Sequence, residues 1–335
     1  MKQHYLLLLL LTVVITSCQK DEDTYEPIIP ETTVPSVVPE FKQHLSELNL
    51  FQGNLGDLNP SELTFEYHLN STLYTDYALK QRIVALPTGE SMIYENNGLP
   101  NFPDNTVIAK TFYYNRDDRD VSLGKNLVET RVMIKINGIW EFGDYIWNDS
   151  QTEAILNNEG GITPVTWIDT EGTVHNVAYE IPSAENCFTC HQSYGNSTLI
   201  GPKLRSMNFN VNGVNQLQKF INNGQLSNAP SVSSITTLPN WEDTSLTTET
   251  RVRAYFDMNC AHCHSQGGFH TVNYFNALDV AFETRFSDSR IYEERSSILT
   301  RMPSSVDQYS MPFLGVTSPH QEALDLILPY LESLN

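Results

Sequence analysis

Two copies of one short pattern constrain this chain more than any other sequence feature. Residues 187–191 (CFTCH) and 260–264 (CAHCH) each carry two cysteines three positions apart, followed directly by a histidine. The chain has five cysteines, and four of them belong to these copies, so no conventional long-range disulfide is expected. Positions i and i+3 of a helix lie on one face. Each copy is therefore predicted to form a helical turn that holds two thiols and a histidine together.

The pattern is the attachment signature of c-type haem, in which both thiols form thioethers and the histidine is an axial ligand of the iron. We expect two covalently bound haems, one at Cys187, Cys190 and His191 and one at Cys260, Cys263 and His264. Zinc held by two cysteine pairs and a redox-active cysteine pair are the alternatives. Zinc ribbons usually place their pairs closer together in sequence, and neither alternative requires a histidine after each pair.

Residues 201–204 (GPKL) resemble the GPxL segment that follows the haem-binding histidine in class I cytochromes c. In those proteins the proline carbonyl accepts a hydrogen bond from the histidine Nδ1–H, which fixes the tautomer of the ring. The resemblance implies that Pro202 does the same for His191, and a simple turn is the alternative. The second copy has no equally clear counterpart.

The second axial ligand of each haem is less constrained. Met302 and Met311 follow the second copy, and each precedes a proline. Met311 is favoured because it lies closer to the C-terminal helix, and core packing is the alternative for both. For the first haem Met207 is the nearest candidate, while His175, a ligand from another region and the absence of a protein ligand remain open. His262, inside the second copy, is expected at the surface.

The N-terminal residues predict export. An apolar run over residues 5–15 is too short to span a bilayer, and it leads into a segment (ITSC) that resembles a lipobox. We expect a signal peptide over residues 1–17, a lipid anchor on Cys18, and a Pro- and Thr-rich tether over residues 18–40. An ordinary secretory signal that happens to contain a cysteine is the alternative.

Charge is strongly unbalanced, with 20 Lys+Arg against 40 Asp+Glu and a formal net charge of −20. Such a chain repels phosphate backbones, so nucleic-acid binding is not expected. Residues 19–23 (QKDED) resemble the acidic tag of surface lipoproteins, with a solvated charge run as the alternative. The expected partners are redox proteins and, through the lipid, a membrane facing the periplasm or the cell surface.

The predicted fold class is α+β. Residues 41–181 alternate between apolar and polar positions, and Asn137-Gly138 predicts a type I′ hairpin, so an all-β, sandwich-like domain is expected there. Residues 182–335 predict an α-helical, class I cytochrome c-like diheme domain, with the first haem in about 182–245 and the second in about 246–335. Helices are predicted over residues 214–223 and 248–264. A last helix is predicted to start at the capping box 318–321 (SPHQ) and to kink at Pro329.

Segments in both halves resemble one family, the bacterial diheme c-type cytochromes with an N-terminal β-rich region. The resemblance spans about residues 60–335 and implies haem, iron and electron transfer, without naming a substrate. Met207 and Pro329 depart from the family pattern. The similar segments are 75–78 (TDYA), 102–103 (FP), 110–112 (KTF), 129–131 (ETR), 147–154 (WNDSQTEA), 200–203 (IGPK), 259–264 (NCAHCH), 301–302 (RM) and 311–312 (MP).

The expected function is extracytoplasmic electron transfer, because two haems in one unit can pass electrons between them. One alternative is a diheme enzyme, such as a peroxidase, in which one haem keeps an open axial position. Another is a haem-linked protein whose β-rich part binds a ligand. No catalytic triad, phosphate-binding loop or dinucleotide fingerprint in the sequence indicates further chemistry.

Overall fold

A six-stranded antiparallel sheet organises the first half of residues 36–334, the part of the chain that the computed structural model describes. Along the sheet its strands follow the order 65–66, 79–85, 107–115, 125–136, 139–147 and 154–156, and residues 161–168 pair with 174–181 in a separate hairpin. The strands are β1 (Phe65–Glu66), β2 (Leu79–Ala85), β3 (Met92–Ile93), β4 (Val107–Asn115), β5 (Lys125–Ile136), β6 (Ile139–Trp147), β7 (Ala154–Leu156), β8 (Gly161–Ile168), β9 (Val174–Ile181), β10 (Gln192–Ser193), β11 (Asn196–Ser197), β12 (Asn210–Val211), β13 (Val214–Asn215) and β14 (Leu226–Ser227).

Helices dominate the second half. Among residues 36–334, no helix is both long enough and apolar enough to cross a membrane. The α+β class is thus confirmed for the described residues. The helices are α1 (Ala184–Cys190), α2 (Leu204–Met207), α3 (Gln216–Asn222), α4 (Thr248–Asn259), α5 (Phe269–Asn273), α6 (Phe286–Ser289), α7 (Ile291–Arg301) and α8 (Gln321–Ser333), with short 3-10 helices at Leu45–Leu48, Leu55–Asp57, Val121–Leu123 and Val232–Ser234.

Several predictions for the N-terminus concern residues outside the described part of the chain. The signal peptide, the lipid anchor on Cys18 and most of the tether lie there. The last five residues of the predicted tether, 36–40, belong to the fold. Val37 and Val38 pack against a hydrophobic cluster, and the Val38 N–H donates to the carbonyl of Leu48 at 3.2 Å.

The hairpin between β5 and β6 confirms the sequence prediction. Ile136 and Ile139 are paired, and the two residues between them, Asn137 and Gly138, have φ values of 51° and 81°. Two consecutive positive φ values define the type I′ turn, whose twist matches that of the flanking strands. The turn thereby fixes the register of β5 and β6.

The two faces of the sheet differ in character. One face packs Ala109, Val132 and Tyr145 against the N-terminal 3-10 helices to form a closed apolar cluster. The opposite face carries an apolar row that includes the cross-strand pair Ile108 and Met133. This row packs on the helical half. The β8–β9 hairpin covers part of that second face. The predicted sandwich is therefore one large sheet plus a hairpin and helices, rather than two sheets of similar size.

One hydrophobic cluster crosses the predicted boundary at residues 181/182. It combines Val84, Ile108 and Met133 from the sheet with Phe220 and Phe256 from the helical half. The boundary itself coincides with the end of β9 at Ile181. Secondary structure changes at this point, whereas the hydrophobic core continues through it.

The start of the last helix differs from the prediction, because hydrogen bonds to a residue distant in sequence replace the predicted helix cap. α8 begins at Gln321 with His320 as its N-cap, and Ser318 does not cap it. Instead, the Ser318 Oγ donates to the buried Asp76 carboxylate at 3.0 Å, and its N–H donates at 2.9 Å. Thr317 donates to the same carboxylate through its N–H and its Oγ1. Pro329 lies within α8, as the sequence implied.

His320 sits in an aromatic cage at the start of α8. Its ring stacks on Tyr74 at a centroid distance of 4.1 Å, and the Tyr255 hydroxyl lies 3.2 Å from its Nδ1. Burial lowers the pKa of His320 to about 4, and Lys80 lowers it further while Glu322 opposes the shift. The folded protein therefore holds this imidazole neutral under conditions in which the unfolded chain protonates it.

We expect the free energy of unfolding of His320→Phe to fall less steeply than that of the wild type as the pH is lowered. The folded pKa lies below the unfolded value of about 6.5, so the stabilisation is complete above that pH and is lost as the pH falls toward 4. Phenylalanine keeps the stacking on Tyr74 and cannot take up the proton. The free energy of unfolding, measured with denaturant between pH 4.5 and 7.5, checks this. An equal decrease of the unfolding free energy in the variant and the wild type would show that His320 does not cause the pH dependence.

Candidate functional site

The first Cys-x-x-Cys-His motif forms the end of α1. Ser183 caps the helix by accepting a hydrogen bond from the Asn186 N–H at 3.3 Å. Cys187 and Cys190 lie one turn apart, and the His191 N–H donates to the Cys187 carbonyl at 2.9 Å. The two thiols and the imidazole therefore project from one turn, as the spacing predicted.

The second motif has the same local conformation outside a regular helix. α4 ends at Asn259, earlier than the predicted end at residue 264. The chain nevertheless continues in turns, and the His264 N–H donates to the Cys260 carbonyl at 2.8 Å. That bond is the counterpart of the one from His191 to Cys187. The Cys263 N–H donates to the same carbonyl at 3.1 Å, which tightens the turn and explains why the helix stops.

The hydrogen bond predicted from His191 to Pro202 is made elsewhere. The Nδ1 of His191 lies 3.0 Å from the carbonyl oxygen of Thr198, and the Thr198 N–H donates back to the His191 carbonyl at 2.9 Å. The β10–β11 hairpin reverses the chain directly after the histidine, so Thr198 reaches the ring before Pro202 can. The orienting bond is present, and its acceptor differs from the prediction.

His191 is buried and His264 is half-buried, and each is held as a neutral imidazole. Burial lowers the pKa of His191 to about 3, helped by the charge of Lys110, and burial lowers the pKa of His264 to about 3 as well. The bond to Thr198 assigns the proton of His191 to Nδ1 and leaves Nε2 with a free lone pair. The buried Nδ1 of His264 has no hydrogen-bond partner among the described residues. A neutral imidazole is the form that binds metal ions.

The two motifs meet in space. Ligand atoms of Cys190, His262 and Cys263 all lie within 4.8 Å of one another. A hydrogen bond from Cys263, supported by His262, holds the pKa of Cys190 well below its usual value and raises that of Cys263. His262 is half-buried in this cluster, with a buried and unpartnered Nδ1, so its predicted surface position is wrong. The four cysteines of the motifs are free thiols.

A pair of cavities adjoins the second motif. Their volumes are about 270 and 210 Å³, and both are lined by Cys260, Met302 and Met311. The larger one is also lined by His264 and by His270, whose ring centroid lies 4.3 Å from that of His264. Both methionines predicted as ligands therefore border the space next to the second motif, and their shared position does not select one of them.

The space beside the first motif is smaller. A cavity of about 70 Å³ is lined by Cys187, Cys190 and His191, and its lining contains no methionine. Met207 is 1% exposed and belongs to the hydrophobic cluster that crosses the sheet and helices. His175 bonds to Asp169 at 2.6 Å. The structure thus places neither of the two residues predicted for the first haem in this cavity.

Two cations from the sheet line the same small cavity. Lys110 of β4 and Arg131 of β5 are direct cross-strand partners. Arg82 of β2 faces Lys110 from the other side, and Asp144 of β6 faces Arg131, so the four form one row of ionisable side chains across the sheet. Burial, together with the charges of Arg131 and Arg82, lowers the pKa of Lys110 to about 7. The row faces the first motif, beside which the Phe142 ring lies 4.8 Å from His191.

A buried ion pair connects helix α2, which follows the first motif, with helix α4, which precedes the second motif. Arg205 lies on α2 and Asp257 lies on α4, and their side chains are 5% and 1% exposed. The Asp257 carboxylate also accepts the Phe282 N–H at 3.0 Å. Arg205 contacts the exposed Glu283 as well. This pair connects the first and second motif regions.

Sequence reasoning missed the site residues contributed by the sheet. Lys110 and Arg131 lie more than 50 positions before the first motif, and no short spacing connects them to it. One sequence signal could have indicated these residues. Each is a lysine or arginine at a strand position that faces the same side as an apolar residue two positions away. His270 was also missed, although it lies six residues after His264 on the next helix.

Comparisons with known proteins do not identify a family. No family model matches the chain, and no curated protein or solved structure matches it either. The similarity to diheme cytochromes therefore rests on the motifs themselves.

Proposed function

We propose that the chain is an extracytoplasmic diheme c-type cytochrome that transfers electrons between redox proteins. The observation that carries this proposal is the shared conformation of the two motifs. Each carries two free thiols and a neutral imidazole on one turn; Cys187, Cys190 and His191 line one cavity, and Cys260 and His264 line another. Haem iron supplies one-electron chemistry when bound. The chain supplies the sulfurs that hold the group, the imidazoles that bind the metal, and an apolar surrounding.

The second motif fits a haem more readily than the first. Its adjoining cavities approach the size of pockets that hold ligands, and the buried Nδ1 of His264 has no hydrogen-bond partner among the described residues. At the first motif, the cavity of about 70 Å³ must widen, and Cys190 must separate from Cys263. Groups bonded to these two neighbouring sulfurs would themselves be neighbours, which favours electron exchange between them.

Covalent haem content tests the proposal directly. The protein is produced in a host with c-type maturation machinery, denatured, and assayed by pyridine haemochrome with protein quantified in parallel. Two haems per chain that survive denaturation are expected. A chain without covalent haem would overturn the proposal.

The coordination of the two haems separates electron transfer from catalysis. The small cavity at His191 contains no methionine, so an enzyme with one open axial position is the main alternative function. Electron paramagnetic resonance of the oxidised protein distinguishes the two. We expect two low-spin signals for an electron-transfer protein, and one high-spin signal would favour an enzyme such as a peroxidase.

A metal centre is the second candidate function, because Cys190, His262 and Cys263 already form a compact donor set. Two thiolates and one imidazole suit zinc. This centre excludes haem at both motifs, since thioether formation uses the same two sulfurs. Elemental analysis of the purified protein separates the candidates: stoichiometric zinc without iron would favour the metal centre.

Met311 is our proposed distal ligand of the second haem. It lines both cavities, as Met302 does, and we prefer it because it lies in the segment that leads into the C-terminal helix α8. Its N–H donates to the Arg301 carbonyl at 3.1 Å. We expect Met311→Leu to lower one haem reduction potential, because a thioether ligand raises the potential. Met302→Leu is the matched control and should leave both potentials unchanged. The reverse outcome in a spectroelectrochemical titration would assign the ligand to Met302.

We also propose that the protein is exported and anchored by lipid at Cys18, facing the periplasm or the cell surface. The short apolar N-terminal run and the lipobox-like segment support this location. Covalent c-type haem attachment outside the cytoplasm is consistent with the same location.

A further inference from the structure

One cysteine of the first motif lies next to one cysteine of the second. Cys190 is the last residue of α1, and Cys263 lies in the turns that follow α4. Their sulfurs and a ring nitrogen of His262 all lie within 4.8 Å of one another. The sequence pairs each cysteine with its neighbour in the same motif, whereas the fold brings together two cysteines of different motifs.

The backbone holds the segments after these two cysteines together. The Tyr194 N–H donates to the Gly267 carbonyl at 2.8 Å, and each residue stands four positions after its cysteine. Gly267 has a φ of 86°, and a Cβ atom there would come within 2.5 Å of the Tyr194 ring. Glycine therefore permits the close approach of the two segments. The proximity of Cys190 and Cys263 thus follows from the path of the chain around them as well as from their side chains.

We propose that Cys190 and Cys263 form a reversible disulfide that joins the two motifs in the haem-free chain. Both residues are free thiols. A disulfide requires the sulfurs to approach to about 2.0 Å, and each sulfur moves by rotation about a single side-chain bond. This inference goes beyond the proposed function and does not rest on it, because it concerns the cysteines alone.

The oxidant is a small disulfide, such as oxidised glutathione. Cys190 is half-buried and Cys263 is buried, so the Cys190 thiolate reacts first. It attacks one sulfur of the oxidant, forms a mixed disulfide and releases one glutathione thiol. The Cys263 thiolate then displaces the second glutathione and closes the protein disulfide. The two glutathione thiols that leave carry the two protons and two electrons lost by the cysteines.

This disulfide connects the fates of the two motifs. Under the proposed function, thioether formation needs both thiols of a motif, and the disulfide occupies one sulfur of each. Oxidation therefore blocks cofactor attachment at both motifs together, and a single reduction step releases both. Separate disulfides within the motifs would require two reductions.

Tryptic peptides distinguish a disulfide between the motifs from disulfides within them. The whole first motif lies in peptide 136–203, and the whole second motif lies in peptide 254–285. The full chain carries Cys18→Ser, so that the fifth thiol cannot react, and is produced without haem attachment. It is reduced, freed of metal ions with a chelator, and equilibrated with oxidised and reduced glutathione. Mass spectrometry of the quenched, non-reduced digest then shows whether the two peptides are joined.

We expect the two peptides to be joined. The variant Cys187→Ser with Cys260→Ser keeps only the proposed pair of motif cysteines and should give the joined peptides as well. The variant Cys190→Ser with Cys263→Ser is the matched control. At the same glutathione ratio it should give less of the joined product by more than about tenfold, because its two sulfurs are not held as neighbours.

Two outcomes would overturn the proposal. One is a digest in which the peptides stay separate and each contains a disulfide within its own motif. The other is equal joining in the two double variants, which would show that the position of the sulfurs does not select the pair. If a double variant does not fold, the digest of the chain with all four motif cysteines decides alone. The haem content of protein matured with c-type machinery tests the proposed function separately, so each proposal can fail without the other.

Discussion

Replacing Cys260 and Cys263 with serine is expected to halve the covalent haem content, from two per chain to one. Serine cannot form the thioether, and the first motif keeps its own two sulfurs and His191. The reciprocal change, at Cys187 and Cys190, should halve the content in the same way, and the fourfold variant should bind none covalently. Pyridine haemochrome assays on denatured protein provide the measurement.

His262→Gln is the matched control for this series. It changes a residue inside the second motif and keeps both cysteines and His264, so two haems per chain are expected. The same variant removes one donor of the Cys190–His262–Cys263 cluster. A loss of bound zinc in His262→Gln would favour the metal centre over the haems.

Breaking the Arg205–Asp257 pair should produce the largest loss of stability among single changes. Both side chains are almost completely buried. Asp257→Leu leaves the guanidinium of Arg205 without its buried partner, and breaking such a pair costs about 3–5 kcal/mol of unfolding free energy. It also removes the acceptor of the Phe282 N–H. Denaturant unfolding of the variant and the wild type under identical haem loading measures the difference.

A double variant and a surface control complete the experiment. Arg205→Met combined with Asp257→Leu should recover part of the loss, since the buried guanidinium is removed together with its partner. The recovery is partial because the half-buried Lys203, 3.9 Å from the Asp257 carboxylate in the wild type, still loses its partner. Asp325→Leu makes the same substitution at an exposed position of α8 and should change the unfolding free energy by no more than about 0.5 kcal/mol. A loss in Asp257→Leu as small as in this control would contradict the importance of the pair.

The parts of the fold that the sequence predicts are local. Asn137 and Gly138 indicate their turn directly, because both residue types readily adopt positive φ. The two motif turns are local as well, since each is closed by a hydrogen bond within five residues. These features could be predicted because the interacting groups are also neighbours in the sequence.

The features that were mispredicted depend on distant groups. Ser318 has the sequence of a helix cap, but the carboxylate of Asp76 competes for its donors. Pro202 lies at a suitable spacing from His191, but the intervening hairpin brings Thr198 closer. The positions of Lys110 and Arg131 follow from sheet register and from how the helical half covers the sheet. No pattern along one segment contains that information.

The contact between Asp76 and the start of α8 constrains the order in which the protein can be completed after synthesis. Thr317 and Asp76 are 241 positions apart. The ribosome releases the sheet strands long before the segment that covers their charged face exists. A partly synthesised chain therefore exposes the apolar row of the sheet, which makes it prone to bind chaperones or to aggregate. Removing the last 20 residues should therefore leave the sheet region without a stable fold of its own.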